Sequence, residues 1–496
     1  MRTFPAGLLA LALLAGCLSG DDGANAADDC PASPWDQPGL RLVAPTVDPI
    51  DDNRDNATLF ETTNVRTCTL PAIGWDPLHP SGTPHKYLGE LDMRGDLNLG
   101  VVAVPGNTEA GGAYLVDITN RSDPVVVSFI DQPGAYVVDA KLSDDGNVLY
   151  LASQSTPGTE FVGTFPEPVS PTGFTVYDIR DPANPQYLGA VVDENGCHML
   201  DPVQLPLNNG LQQDAVMCIS TSLKSYLIQR TPSPFANLGF VAYLPNNAQG
   251  IPTPTLPNLG LPIDLPVGVA EGPHDMTAFH TGGTFGAGDS YLVVSHWGEG
   301  VKVLDITEAP ALTEIGSWDG EGATHYAGNV HTAMMVVVGS DRYIIASPEY
   351  TFAGVVPGLW VLDANDLTNL KLVAEWYHPG NHTSQGLYLT THQWQVAPTG
   401  PNVTADDVRI YLSYNHAGVW VLDLGHILKG HDEAAILGFN LARTPIPEEH
   451  VGNAVLSTWD INVVDGYIYG TDRATGLWVF HYTGDELGDE RLRGFS

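Results

Sequence analysis

Gly358-Leu-Trp-Val-Leu-Asp363 is one copy of a strand motif that recurs along the whole chain. The same pattern stands at Gly112-Ala-Tyr-Leu-Val-Asp117, Gly173-Phe-Thr-Val-Tyr-Asp178, Gly300-Val-Lys-Val-Leu-Asp305 and Gly418-Val-Trp-Val-Leu-Asp423. It fades to Gly476-Leu-Trp-Val-Phe-His481, and a weaker copy, Ser225-Tyr-Leu-Ile-Gln-Arg230, fills the longest gap. Anchored at residues 117, 178, 229, 305, 363, 423 and 481, the copies are 61, 51, 76, 58, 60 and 58 residues apart. Such a period, carried by β-branched and aromatic runs between Gly and Pro, means one supersecondary unit stacked many times. Around each anchor the sequence parses as four strands, for example 331–338, 343–347, 359–363 and 370–376. Four-stranded antiparallel units arranged radially leave only short, protected edges. The fold expected is all-β, a single β-propeller of about seven four-stranded blades. After Trp478-Val-Phe-His481 no fourth strand follows, so an N-terminal strand is expected to close the ring. Lys86-Tyr-Leu-Gly-Glu-Leu-Asp92 is the candidate, because it resembles the outer strands at 186–192 and 312–318.

Composition narrows the setting. The 496 residues hold 58 acidic and 20 basic side chains, a formal net charge of −38. A surface so negative repels nucleic acid and anionic lipid headgroups, so neither is an expected partner. Met1-Arg2-Thr3 is a short basic start, and 4–14 is an apolar run too short to span a bilayer. It ends in Leu14-Ala15-Gly16-Cys17, which resembles a bacterial lipobox. That resemblance implies cleavage before Cys17, lipidation of Cys17 and anchoring in the cell envelope; Leu18 after the Cys points to the outer membrane. The expected divisions are a signal peptide at 1–16, a tether and N-terminal extension at 17–83, the propeller at 84–482 and a tail at 483–496. A monomer is expected. Export also permits disulfides, and Cys197 and Cys218 flank a predicted hairpin, leaving Cys30 and Cys68 to pair with each other.

The segments Leu115-Val-Asp-Ile-Thr-Asn-Arg-Ser-Asp-Pro124 and Tyr177-Asp-Ile-Arg-Asp-Pro-Ala-Asn-Pro-Gln-Tyr-Leu-Gly189 resemble the LVIVD-repeat propellers over roughly residues 85–482. The resemblance implies architecture and a cell-surface setting, and carries over no activity. Pro273-His-Asp-Met276 is similar to the His-Asp segments of selenium-binding proteins (methanethiol oxidases), propellers with His-rich copper chemistry.

In a propeller, the second-to-third-strand loops and the outer-to-next-inner loops open on one face. Here they include the long ones, at 153–172, 245–273, 350–357, 378–391 and 443–457. Elaborated loops on a rigid scaffold are where function usually sits. The inner strands begin at that face with Val138, His198, His274, His331, His392 and Trp459 in blades 2 to 7, so four consecutive blades present His at one level. His296, Glu349 and His416 stand on loops of the same face. Neutral imidazoles from adjacent strands suit Cu or Zn. The alternative use of such a row is structural, with rings bonded between blades. The acidic turns Asp144-Asp145-Gly146 and Asp319-Gly320-Glu321 read as turns before they read as Ca²⁺ sites. Two functions follow. One is a lipid-anchored scaffold binding a protein, glycan or small-molecule ligand on the long-loop face. The other is an oxidoreductase-like metalloenzyme with His198, His274, His331 and His392 around the metal. A His ring facing a pocket favours the second; a channel plugged by Met276 and Trp459 favours the first.

Overall fold

Each copy of the repeated motif folds as the third strand of a four-stranded antiparallel sheet. The computed structural model describes residues 70–482 apart from 71, 77, 79–87, 106–109, 134, 155–172, 193–195, 207–211, 220–222, 230–235, 244–271, 282–287, 308–311, 325, 327–328, 350–357, 378–390, 416–417, 432–434, 441–457 and 473–475. Seven such sheets are present among the described residues. In the fifth, the strands are Thr332–Val338, Asp341–Ser347, Gly358–Asp363 and Lys371–Tyr377, in that order from the axis outward. The innermost strands of blades 1 to 7 are Leu91–Arg94, Tyr136–Leu142, Met199–Pro206, Gly272–His280, Thr332–Val338, Thr391–Ala397 and Thr458–Val464. Each lies against the next and the seventh against the first, which closes the ring of a β-propeller.

The motif's residue types have physical reasons. A Cβ on Gly112 would stand 1.9 Å from the Ile130 carbonyl oxygen, and one on Gly300 1.9 Å from that of Trp318. Both glycines also have positive φ, +152° and +83°. The outer strand presses so close at this point that only Gly fits. The terminal Asp accepts a hydrogen bond from the backbone two residues on, as at Asp117 from Thr119 N (2.7 Å) and Asp305 from Thr307 N (2.8 Å). The tryptophans at 360, 420 and 478 are buried between neighbouring blades. Trp360 meets Trp318 of blade 4 at 5.6 Å between ring centroids, and Trp420 meets Trp376 of blade 5 at 6.3 Å. Seven apolar clusters, one at each blade interface, make up the described core.

An N-terminal strand does close the ring, but it is Ala72–Asp76. It pairs antiparallel with Gly476–His481 and completes blade 7 from within the stretch read as an extension. Of the segment expected to do this, 86–92, the described part, 88–92, instead leads into the inner strand of blade 1, and 86–87 lie outside the described residues. Asp460 of blade 7 accepts from Leu91 N at 2.7 Å, and Asn462 from Met93 N at 2.7 Å, which fixes Leu91–Arg94 at the axis. The Cys197–Cys218 disulfide forms. Cys17, Cys30, Cys68, the hairpin turn and most of the long loops lie outside the described residues.

Candidate metal centre

The inner strands start with a local irregularity that turns side chains toward the axis. In blade 4 the ladder shifts between Pro273 and Asp275, in blade 6 between Thr391 and Trp394, so His274 and His392 sit on bulges. His198 and His331 stand one residue before their strands. The four rings follow one another around the channel mouth. Centroid separations are 4.5 Å for His198–His274, 4.3 Å for His274–His331 and 4.2 Å for His331–His392. Aromatic rings bound this arc: Trp297 stacks on His274 at 4.5 Å and 5° between planes, and Trp459 lies 3.7 Å from His392. Met276, a possible channel plug, instead packs in the apolar cluster between blades 3 and 4.

Nitrogen atoms converge within the arc. His198 Nε2 and His274 Nε2 are 3.0 Å apart, and Glu349 Oε2 is 3.9 Å from His274 Nε2. One ligand atom each from His274, His331 and Glu349 lie within 4.8 Å of one another. Ligands around a tetrahedral Zn²⁺ at about 2.0–2.1 Å stand about 3.3 Å apart, so this spacing is of the right size to be drawn onto one ion. Outer partners set which nitrogen each ring offers. His198 Nδ1 is 2.5 Å from Gln154 Oε1, an acceptor, so Nδ1 carries the proton and Nε2 the lone pair. His331 Nδ1 is 2.7 Å from Thr332 Oγ1. Burial keeps these rings neutral, the form that binds metal. It pushes His198 down to about 4 and His274 well below the usual imidazole range, helped at His274 by its His331 and His198 neighbours. Burial and then His392 do the same for His331. The donor set, imidazole nitrogens and one carboxylate, fits Zn²⁺ or Cu²⁺.

Not every expected residue joins. His296 is buried, but its Nδ1–H donates to the Trp297 carbonyl at 2.8 Å and its charged neighbours are Glu299, Lys302 and Glu314. Trp297 takes the place beside His274, and the adjacent residue on a strand faces the other way. His392 is next in the row beyond the convergent atoms, with Nδ1 3.8 Å from Glu90 Oε1. His416 lies outside the described residues. Of the two acidic turns, 144–146 is closed by its flanking residues, since Asp145 Oδ1 accepts from the Ser143 hydroxyl and from Asn147 N.

Below the histidines the channel is lined by charge that the sequence reading did not single out. Asp139, Asp275 and Asp460 each follow the ring residue of their blade by one position, and Glu90, Asp92, Asp201 and Lys141 join them. Asp139 accepts from Leu200 N (2.9 Å) and Asp92 from Leu142 N (2.8 Å), so these carboxylates tie each inner strand to the next. Burial raises Asp201 to about 7 and Asp275 to about 6, and raises Glu90 and Asp460, which also repels Glu90. Burial works against the Lys141 cation, but Asp139, Asp460, Asp92 and Glu90 outweigh it and hold the amine charged. The fixed offset from the ring positions Val138, His274 and Trp459 was the signal that could have found this layer.

No protein-family model matches the sequence, and neither does any curated protein. Among solved structures, the Nup133 β-propeller domain of Vanderwaltozyma polyspora is 10% identical, covering 83% of this chain and 97% of that one, with a TM-score of 0.50. The Cps50 (Swd1) propeller of Myceliophteria thermophila is 12% identical over 80% of this chain and 97% of its own, at 0.46. The periplasmic gluconolactonase PpgL of Pseudomonas aeruginosa is 12% identical over 68% and 81%, at 0.43. At 10% identity the likeness to the Nup133 domain speaks for the propeller fold alone.

Proposed function

We propose that this chain is a lipid-anchored propeller of the bacterial cell envelope that binds its ligand on the long-loop face, around a transition metal ion held by His198, His274, His331 and Glu349. The observation that carries the reading is the His274, His331 and Glu349 cluster, whose ligand atoms lie within 4.8 Å of one another, with His198 Nε2 hydrogen-bonded to His274 Nε2 at 3.0 Å beside it. His274 and His331 each bond the backbone of the next ring residue, at His331 and His392, as inter-blade struts do. His198 and His331 also have Nδ1 held from behind by Gln154 and Thr332, and that second hold is what a ligand ring needs. When bound, Zn²⁺ supplies Lewis acidity, and Cu²⁺ adds one-electron chemistry. The protein's share is to keep the imidazoles neutral, stack Trp297 and Trp459 against the row, and hold it on a rigid scaffold. The oxidoreductase-like alternative uses the same centre. The anchor rests on Leu14-Ala15-Gly16-Cys17.

Two experiments test the two halves. Cobalt(II) added to the soluble domain is expected to give the visible absorption of an ion bound by nitrogen and oxygen, and His274→Ala with His331→Ala to remove it. Absence of that spectrum in the wild type, together with no Zn²⁺ binding by calorimetry, contradicts the metal half. Cys17→Ser is expected to shift the full chain from the detergent phase to the aqueous phase on phase separation. A variant that partitions like the wild type contradicts the anchor.

A further inference from the structure

Thr332 occupies an unusual electrostatic position. Its hydroxyl oxygen lies 2.7 Å from His331 Nδ1, 3.1 Å from Asp275 Oδ2, 3.0 Å from the His392 carbonyl oxygen and 3.0 Å from Gln393 Oε1. Three of these four neighbours are oxygen acceptors, and a hydroxyl has one proton to give. That proton goes to one of the oxygens. The remaining hydroxyl capacity is a lone pair, which leaves Thr332 to accept from His331 and requires that Nδ1 carry the hydrogen. The opposite arrangement, with Thr332 donating to a bare Nδ1, would set the hydroxyl lone pairs against three oxygens in a buried site, where unmatched polar atoms cost most. Gln393 Nε2 donates to Asp275 Oδ2 at 3.1 Å, holding the carboxylate in place. Thr332, Asp275 and Gln393 are 1%, 4% and 8% exposed, and they come from three consecutive blades at the position just after each ring histidine.

We propose that Thr332, backed by Asp275 and Gln393, is a positioning residue that fixes His331 with its proton on Nδ1 and its Nε2 lone pair toward the ion. This rests on the metal reading above and adds the device that tunes the centre. It is a hydroxyl-relayed form of the carboxylate–histidine–metal arrangement.

The test is a Zn²⁺ titration by calorimetry on the wild type, Thr332→Val, Thr332→Ser, His331→Ala and the His331→Ala/Thr332→Val double variant, with melting temperature as the fold control. Thr332→Val keeps the shape and removes the hydroxyl, and is expected to weaken Zn²⁺ binding by about 10–100-fold. Thr332→Ser restores the hydroxyl and is expected to restore binding. In the His331→Ala background the Thr332→Val effect is expected to vanish, because a residue acting through His331 has nothing left to position. Unchanged affinity in Thr332→Val overturns the proposal, as does an equal loss in the His331→Ala background, the mark of a general structural role. If Thr332→Val does not fold, Thr332→Ala carries the same comparison. A wild type that binds no Zn²⁺ overturns the metal reading itself, a distinct result from a wild type that binds and a Thr332→Val that binds equally well.

Discussion

Deleting residues 72–76 is expected to abolish the cooperative unfolding transition of the propeller. That strand supplies the outer edge of blade 7, pairing Ala72 with Phe480, Trp75 with Trp478 and Asp76 with Leu477. Without it, Gly476–His481 becomes a bare edge whose backbone groups invite pairing with another chain. The loss goes beyond the hydrogen bonds, at about 0.5–1.5 kcal/mol each. Ile73 packs against the apolar cluster between blades 7 and 1, so the interface that joins the chain's two ends is opened as well. Several kcal/mol is a large part of the roughly 5–15 kcal/mol that separates folded from unfolded protein. The expected record is a broad, low-temperature melt by circular dichroism, with aggregates on gel filtration. A variant that melts sharply near the wild-type temperature would mean the ring does not depend on this strand.

The second large effect belongs to the Cys197–Cys218 disulfide. The two residues are 21 positions apart, and both are buried between blades 2 and 3. Closing a loop of that size restricts the unfolded chain by about 3 kcal/mol in the entropic treatment. Replacing both by Ala is expected to lower the unfolding free energy by about that amount, read from the denaturant midpoint and slope together, because the unfolded chain freed of the cross-link exposes more surface and steepens the slope. The bond also sits next to His198, whose backbone N–H donates to the Ile219 carbonyl at 2.6 Å. The double variant is therefore expected to bind Zn²⁺ more weakly as well as to unfold earlier. A midpoint equal to the wild type's, in protein whose thiols are shown to be oxidised, would contradict the first expectation.

How much of this was legible follows from where each residue's constraint lies. The third strands were plain because Gly300 and its equivalents answer a local demand, the pressure of the outer strand on a missing Cβ. The histidine row was legible for a related reason: equal offsets within a repeat place side chains at equal heights, and the four rings do meet. The closing strand was not legible. Ala72-Ile-Gly-Trp-Asp76 lacks the Tyr-Leu-Gly pattern of the other outer strands, while Lys86-Tyr-Leu-Gly-Glu-Leu-Asp92 carries it, and its last residues, Leu91 and Asp92, begin an inner strand. Pairing partners hundreds of residues away decide between them. His296 was misjudged because a one-residue step on a strand reverses the side chain, and Trp297 took the inward place. Gln154 and Thr332 are ordinary polar residues until their ring partners are placed beside them.

The central claim is that the histidine arc holds a transition metal, and elemental analysis of the purified soluble domain tests it most directly, beside a His274→Ala/His331→Ala variant. The expected result is about one Zn or Cu per wild-type chain, lost in the variant while its circular dichroism and melting curve keep the wild-type form. A wild type with neither metal, even after incubation with each ion and removal of the excess, would contradict the claim and leave the propeller as a binding scaffold alone.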